Sequence, residues 1–163
     1  MPWPPAEDVV TIEITEKPLD PDAVTALVTD DKNGAVVTFL GTTRSYTGER
    51  RTLFLEYEAY RPMADMELAR VVREMKERWP IGDAAVAHRL GRLEVGETSL
   101  VVAVSSPHRR EAFEACQYAV DRIKQTVPIW KKEHFEGGEV WVESPEDLAR
   151  REAAEFATRS GPA

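Results

Sequence analysis

The side chains best suited to chemistry in this chain are cations placed at the ends of elements. Ser105-Ser106-Pro107-His108-Arg109-Arg110 joins an apolar run to a helical one. Free N–H groups at a helix start favour an anion, and His108 and Arg109 add side-chain donors. The plainer reading of the same stretch is that Ser106 caps the helix and the arginines are solvated. Lys124 falls in the last turn of that helix, where any cation complements the helix C-terminus. Lys131 and Lys132 follow Pro128-Ile129-Trp130. On a strand they point to opposite faces, so only one of them lines a given pocket. Arg44 stands in a Gly-punctuated loop after a strand. A lysine held among cations and partly desolvated has a lowered pKa, and serves as base or nucleophile. Each signal is weak alone; together they indicate an anionic, phosphate-bearing ligand.

Other chemistries lack their residues. No G-x-G-x-x-G follows a strand, and there is no G-x-x-x-x-G-K-[ST], so dinucleotide and P-loop sites are not expected. His88, His108 and His134 lack the spacing of a zinc helix, and one cysteine rules out an internal disulfide and a Cys-rich metal site. No metal site and no cofactor is expected. Cys116 lies in an apolar helical stripe and reads as a buried structural thiol.

The elements that must position these cations follow from the periodicities. Residues 9–14 read as a β-branched strand. Asp20-Pro21-Asp22 opens a short helix to about residue 29. Residues 35–40 form a strand apolar on both faces, which predicts a central position in its sheet. Residues 41–51 read as a mobile loop and 53–60 as an alternating strand. Arg61-Pro62 opens a long helix to about Trp79, with Met63, Met66, Val71, Val72 and Met75 as its stripe. Residues 84–90 and 98–105 pair as a hairpin around a turn at 91–97. A helix runs from about Arg109 to Thr126 on Ala112, Phe113, Cys116, Ala119, Val120, Ile123 and Val127, and Pro128 stops it. Strands follow at 129–135 and 139–142, then a last helix capped by Ser144. Strands and helices that do not strictly alternate give an α+β fold with a mostly antiparallel sheet.

At 163 residues the chain reads as one domain, 1–163. Its 21 Lys and Arg against 29 Asp and Glu give a net charge of −8, which disfavours nucleic acid and membrane surfaces. The acidity is in the flanks. Residues 1–33 carry −6, 135–163 carry −4, and 34–134 carry +2, so a cationic pocket fits inside an acidic protein. No basic segment followed by an apolar one opens the chain, and the expected location is cytoplasmic.

GAVVTFLGTTR, LEYEAYRPMA, HRLGRLEVGE, VAVSSPHRREAFEACQ and DRIKQTVPIWKKE occur in this order. Together they resemble the catalytic (large) subunit of molybdopterin synthase, over residues 34–143. The combination of SSPHR with PIWKKE is the most specific part. The resemblance implies an α/β hammerhead-type fold and a homodimer. It implies a small ubiquitin-like sulfur-carrier subunit ending in a Gly-Gly thiocarboxylate, two of which make a heterotetramer. It implies sulfur transfer to cyclic pyranopterin monophosphate (precursor Z), giving the dithiolene of molybdopterin without a metal. The family's functional residues map onto Lys124 and Lys131 as catalytic groups, and onto Arg44, His108 and Arg109 as substrate contacts. These five are expected to converge on one pocket. The chief alternative is a non-catalytic module that binds a ubiquitin-like partner or a phosphorylated ligand.

Overall fold

The computed structural model describes residues 11–142, together with Phe156 and Arg159, both helical. Two sheets and three helices make up residues 11–142.

The first sheet has the order β1-β5-β7-β2, from β1 (Thr11–Thr15), β5 (Asp83–Arg89), β7 (Thr98–Ser106) and β2 (Ala35–Thr42). β1 and β5 run parallel and the other pairs antiparallel. Both faces of this sheet are covered. Leu100, Val102 and Val104 of β7, with Ala84 and Val86 of β5, face two long helices; Val101, Ala103, Ala85 and Ala87 face the other way. That second face is capped by α1 (Pro21–Ala26) and the turn after it, through Val24 and Val28. Asp20 caps α1, its carboxylate accepting from Asp22 N at 3.1 Å and Ala23 N at 3.3 Å.

The helices are α2 (Met63–Arg78) over β1 and β5, and α3 (Arg109–Thr126) over β7 and β2. α3 buries Ala112, Ala115, Cys116, Ala119 and Ile123, a stripe of three- and four-residue steps. Val127, whose N–H returns to Ile123 O, ends it before Pro128.

The second sheet runs β3-β4-β8-β9, from β3 (Tyr46–Thr47), β4 (Arg50–Ala59), β8 (Ile129–Phe135) and β9 (Gly138–Val142). β6 (Gly91–Glu94) also pairs with β4. The register sets Leu55 opposite Glu133 and Tyr57 opposite Lys131.

Five expectations change. β2 is an edge strand, because apolar residues on both faces report layers above and below, not lateral neighbours. Residues 41–51 hold a hairpin, β3 with the start of β4. Met63 and Met66 are exposed on α2, whose buried stripe is Ala64, Leu68, Val71, Val72 and Met75. Phe113 points outward from α3, at 61 % exposure. The 91–97 turn contains β6, which joins the other sheet. The expected helix from Ser144 lies outside the described residues, apart from Phe156 and Arg159.

Candidate active site

Arg44 and Lys124 stand near enough to Lys131 to act on its charge, where α3 runs into the second sheet. Lys124 stands in the last turn of α3. Lys131 is reached through Val127 and Pro128, two residues into β8. Strand alternation sends Lys131 and Glu133 to the inner face, and Lys132 to the outer face, where it meets Glu139 at 3.0 Å and lies over Trp141. Arg44 stands two residues past the end of β2. Burial holds the Lys131 amine below the usual lysine range, and the charges of Arg44 and Lys124 lower it further; Glu133 opposes them. An amine kept in such surroundings gives up its proton more readily than a solvated lysine, and attracts anions while charged.

Glu133 is the residue that pattern reasoning left without a role. It is 1 % exposed, yet it is held as a carboxylate acceptor by Thr52 Oγ1 at 2.9 Å and Arg50 Nη2 at 3.2 Å. Arg50 in turn lies 4.7 Å from the Phe135 ring centroid. The available signal was its spacing: an acid two residues from a lysine on a strand shares that lysine's face.

His108 and Arg109 lie at the other end of α3. Sixteen positions separate His108 from Lys124, roughly 24 Å along the helix axis. One chain therefore brings Arg44, Lys124 and Lys131 together and leaves His108 and Arg109 apart. His108 is itself the N-cap, with no side-chain hydrogen bond to the first turn, so the opening N–H groups of α3 stay available to an anion. Ser106 does not cap the helix. It belongs to β7, and its Oγ is buried without a partner among the described residues. Arg110 pairs with Glu114 at 2.9 Å. Among the described residues no group of three or more His, Cys, Asp or Glu side chains is placed to hold a metal, and no helix is long and apolar enough to cross a membrane.

The family described as MoaE protein matches residues 14–126. The chain belongs to the MoaE family. It is 50 % identical over 130 residues to the molybdopterin synthase catalytic subunit of Bacillus subtilis, covering 80 % of this chain and 83 % of that protein. The crystal structure of molybdopterin synthase from Staphylococcus aureus superposes with a TM-score of 0.78 at 41 % identity, over 81 % of this chain and 96 % of that one. A complex of subunits 1 and 2 of molybdopterin-converting factor from Helicobacter pylori shares the fold, with a TM-score of 0.68 at 19 % identity, over 82 % and 91 % of the two chains. The helices and curled, mostly antiparallel sheets are thus those of the MoaE fold, the hammerhead-type α+β arrangement.

Cys116 fits no catalytic role in a MoaE chain of this kind. It lies on the packing face of α3, buried against β7, and burial pushes its thiol up to about 11.

Proposed function

We propose that this chain is the catalytic subunit of a molybdopterin synthase. It moves sulfur from the C-terminal thiocarboxylate of a small ubiquitin-like carrier to cyclic pyranopterin monophosphate. What supports the reading is the action of the Arg44 and Lys124 charges on a half-buried Lys131 in a member of this family. Thiocarboxylate and cyclic phosphate are both anions and repel each other. Cations fixed before the substrates arrive offset that repulsion and hold the sulfur against the carbon it attacks. Lys131, with its lowered pKa, is the group suited to take or give a proton; Lys124 and Arg44 hold negative charge. The chain works as a single domain with the carrier as partner, as in the two-subunit Helicobacter pylori complex. The cytoplasm, whose reducing poise preserves a thiocarboxylate, is the fitting compartment.

His108 and Arg109 act in this reading from a second copy. A two-fold axis near the middle of α3 sets the N-terminal end of one helix beside the C-terminal end of the other. The features needed for such pairing lie on that side: the edge of β2, which pairs with no further strand among the described residues, and a groove lined by Val37, Phe39, Phe113, Gln117 and Val120.

The test is reconstitution with thiocarboxylated carrier and precursor Z, reading molybdopterin. Wild type makes product and Lys124→Ala does not; full activity in Lys124→Ala defeats the reading. Sites shared between subunits are tested by mixing inactive Lys131→Ala with inactive His108→Ala. Random 1:1 pairing restores about a quarter of wild-type activity if each site draws on both copies. No recovery places His108 and Lys131 in separate functions.

A further inference from the structure

The motif HRLGRLEVGE is not absorbed by the site, yet its turn reaches the chain next to Arg44. β2 loses its register with β7 between Gly41 and Thr42. Thr42, opposite Thr98, is the last residue that the ladder holds. Thr43 is instead gripped by the turn before β7: its N–H donates to Glu97 O at 3.0 Å, and its carbonyl accepts from Gly96 N at 2.8 Å. On the other side of Arg44, Ser45 O accepts from Thr52 N at 2.8 Å. The backbone of Arg44 is therefore tethered at both neighbours.

The turn is itself locked. Gly96 has φ +88, a left-handed conformation that aims its N–H at Thr43 and that other residues adopt only with strain. Glu97 closes the turn on itself, one carboxylate oxygen accepting from Glu94 N at 2.8 Å. The other accepts from Arg89 Nη1 at 2.6 Å, and Arg89 is largely buried, its side chain only 13 % exposed. Arg89 also reaches Glu16 O at 3.4 Å, which ties the lock to the chain leaving β1. A charge-assisted pair of this length resists opening more than the neutral turn bonds do.

We infer that Glu97, locked by Arg89, is a positioning residue for Arg44: through the backbone of Thr43 it sets where the Arg44 guanidinium stands relative to Lys131. The inference rests on the site reading above. It separates two roles. Arg44 supplies the charge, and the carboxylate of Glu97, in the turn between β6 and β7, decides how far that charge stands from the lysine.

The test reads Lys131 directly, by nitrogen-15 NMR titration of its amine in the full chain. Lys131 is faced by Arg44 from the loop, Lys124 from α3 and Glu133 from its own strand, with Tyr57 opposite it on β4. Moving the Arg44 charge away raises the Lys131 midpoint. Glu97→Ala is expected to raise it in the same direction as Arg44→Ala, and Glu97→Ala added to Arg44→Ala gives no further rise. Glu97→Gln keeps the acceptor for Glu94 N–H but turns an amide NH2 towards Arg89, and is expected to raise the midpoint by less than Glu97→Ala. Gly96→Ala, strained at the same turn, repeats the Glu97→Ala result and serves if that variant does not fold. Lower thermal stability in Glu97→Ala with an unmoved Lys131 midpoint overturns the inference and leaves the site reading standing. An additive rise in the double variant overturns it too. If Arg44→Ala itself leaves the midpoint unmoved, the site reading falls and takes the inference with it.

Discussion

The central strand β7 of the first sheet and the strand β8 of the second treat charge in opposite ways. In the first, β7 is buried along nearly its whole length and carries only Thr and Ser besides its apolar residues. In the second, a carboxylate is 1 % exposed and an amine is half-buried two residues away on the same strand. Burying a charge costs several kcal/mol unless partners meet it. The second sheet provides them: Thr52 and Arg50 for Glu133, and a cluster of like and opposite charges around Lys131. A fold accepts such an arrangement where chemistry needs it. The difference assigns the work: the first sheet, with α2 and α3, is the frame, and the second holds the reacting groups at the frame's edge.

The largest expected effects test that division from both sides. Leu68 is fully buried between α2 and the first sheet. Leu68→Ala is expected to cost about 2–5 kcal/mol of stability in denaturant unfolding, with activity per folded molecule unchanged. Lys131→Ala is expected to do the reverse: a fall in kcat/KM of about a hundred- to a thousandfold, with the unfolding midpoint close to wild type. If Lys131→Ala mainly lowers stability, or Leu68→Ala mainly lowers turnover, the division is wrong.

His88 lies at the seam of the two regions, and its effect is the next in size. It stands on β5 of the first sheet, and its ring meets the Tyr57 ring of the second at 5.1 Å. Burial drives its pKa down to about 4, and Nδ1 lies 2.8 Å from Arg89 O, which places the proton of the neutral ring on Nδ1. The unfolded chain takes up a proton near pH 6.5 and the folded one only near 4. The unfolded state therefore binds more protons in that window. Stability is full above about pH 6.5 and falls as the pH drops towards 4, by up to about 3 kcal/mol at 1.36 kcal/mol per unit. Urea unfolding at pH 7, 5 and 4 reads this loss, and His88→Gln flattens it. An unchanged slope in His88→Gln places the acid sensitivity elsewhere.

This seam also marks how far the chain could be read before its fold was known. Where one face or stripe decides burial, periodicity was enough: α3 starts and stops where its apolar spacing and Pro128 put it, and Lys131 and Lys132 part to opposite faces as alternation requires. What escaped depends on lateral or long-range partners. Nothing local tells β2 that its outer side has no strand beside it among the described residues. Nothing local tells residues 91–94 that they join β4 and not the hairpin around them. In the site, the cation types were visible because helix ends and a strand face present them. The separation of His108 from Lys124 was equally visible, since it is a count of helical residues, but the resemblance drew all five onto one pocket. Glu97 and Glu133 were hidden because their partners, Arg89 and Thr43, Thr52 and Arg50, are distant in sequence or on another strand.

The smallest effect concerns the partner that the second sheet gives its lysine. Glu133→Gln keeps an acceptor for Thr52 Oγ1 but withdraws the charge that Arg50 meets, at an expected cost of about 1–3 kcal/mol. Its more telling result is on Lys131. Among the described residues Glu133 is the charge acting to raise that amine's pKa, against burial, Arg44 and Lys124. Without it the amine loses its proton at lower pH. If the reaction needs neutral Lys131, the rising limb of kcat/KM moves to lower pH. If it needs the charged amine, the falling limb moves the same way and activity at neutral pH drops. Both outcomes displace the profile downward, and the limb that moves names the protonation state at work. A profile that moves upward or stays fixed shows that Glu133 is only a structural anchor for Arg50, and that the second sheet buries its carboxylate for packing, as the first sheet buries its valines.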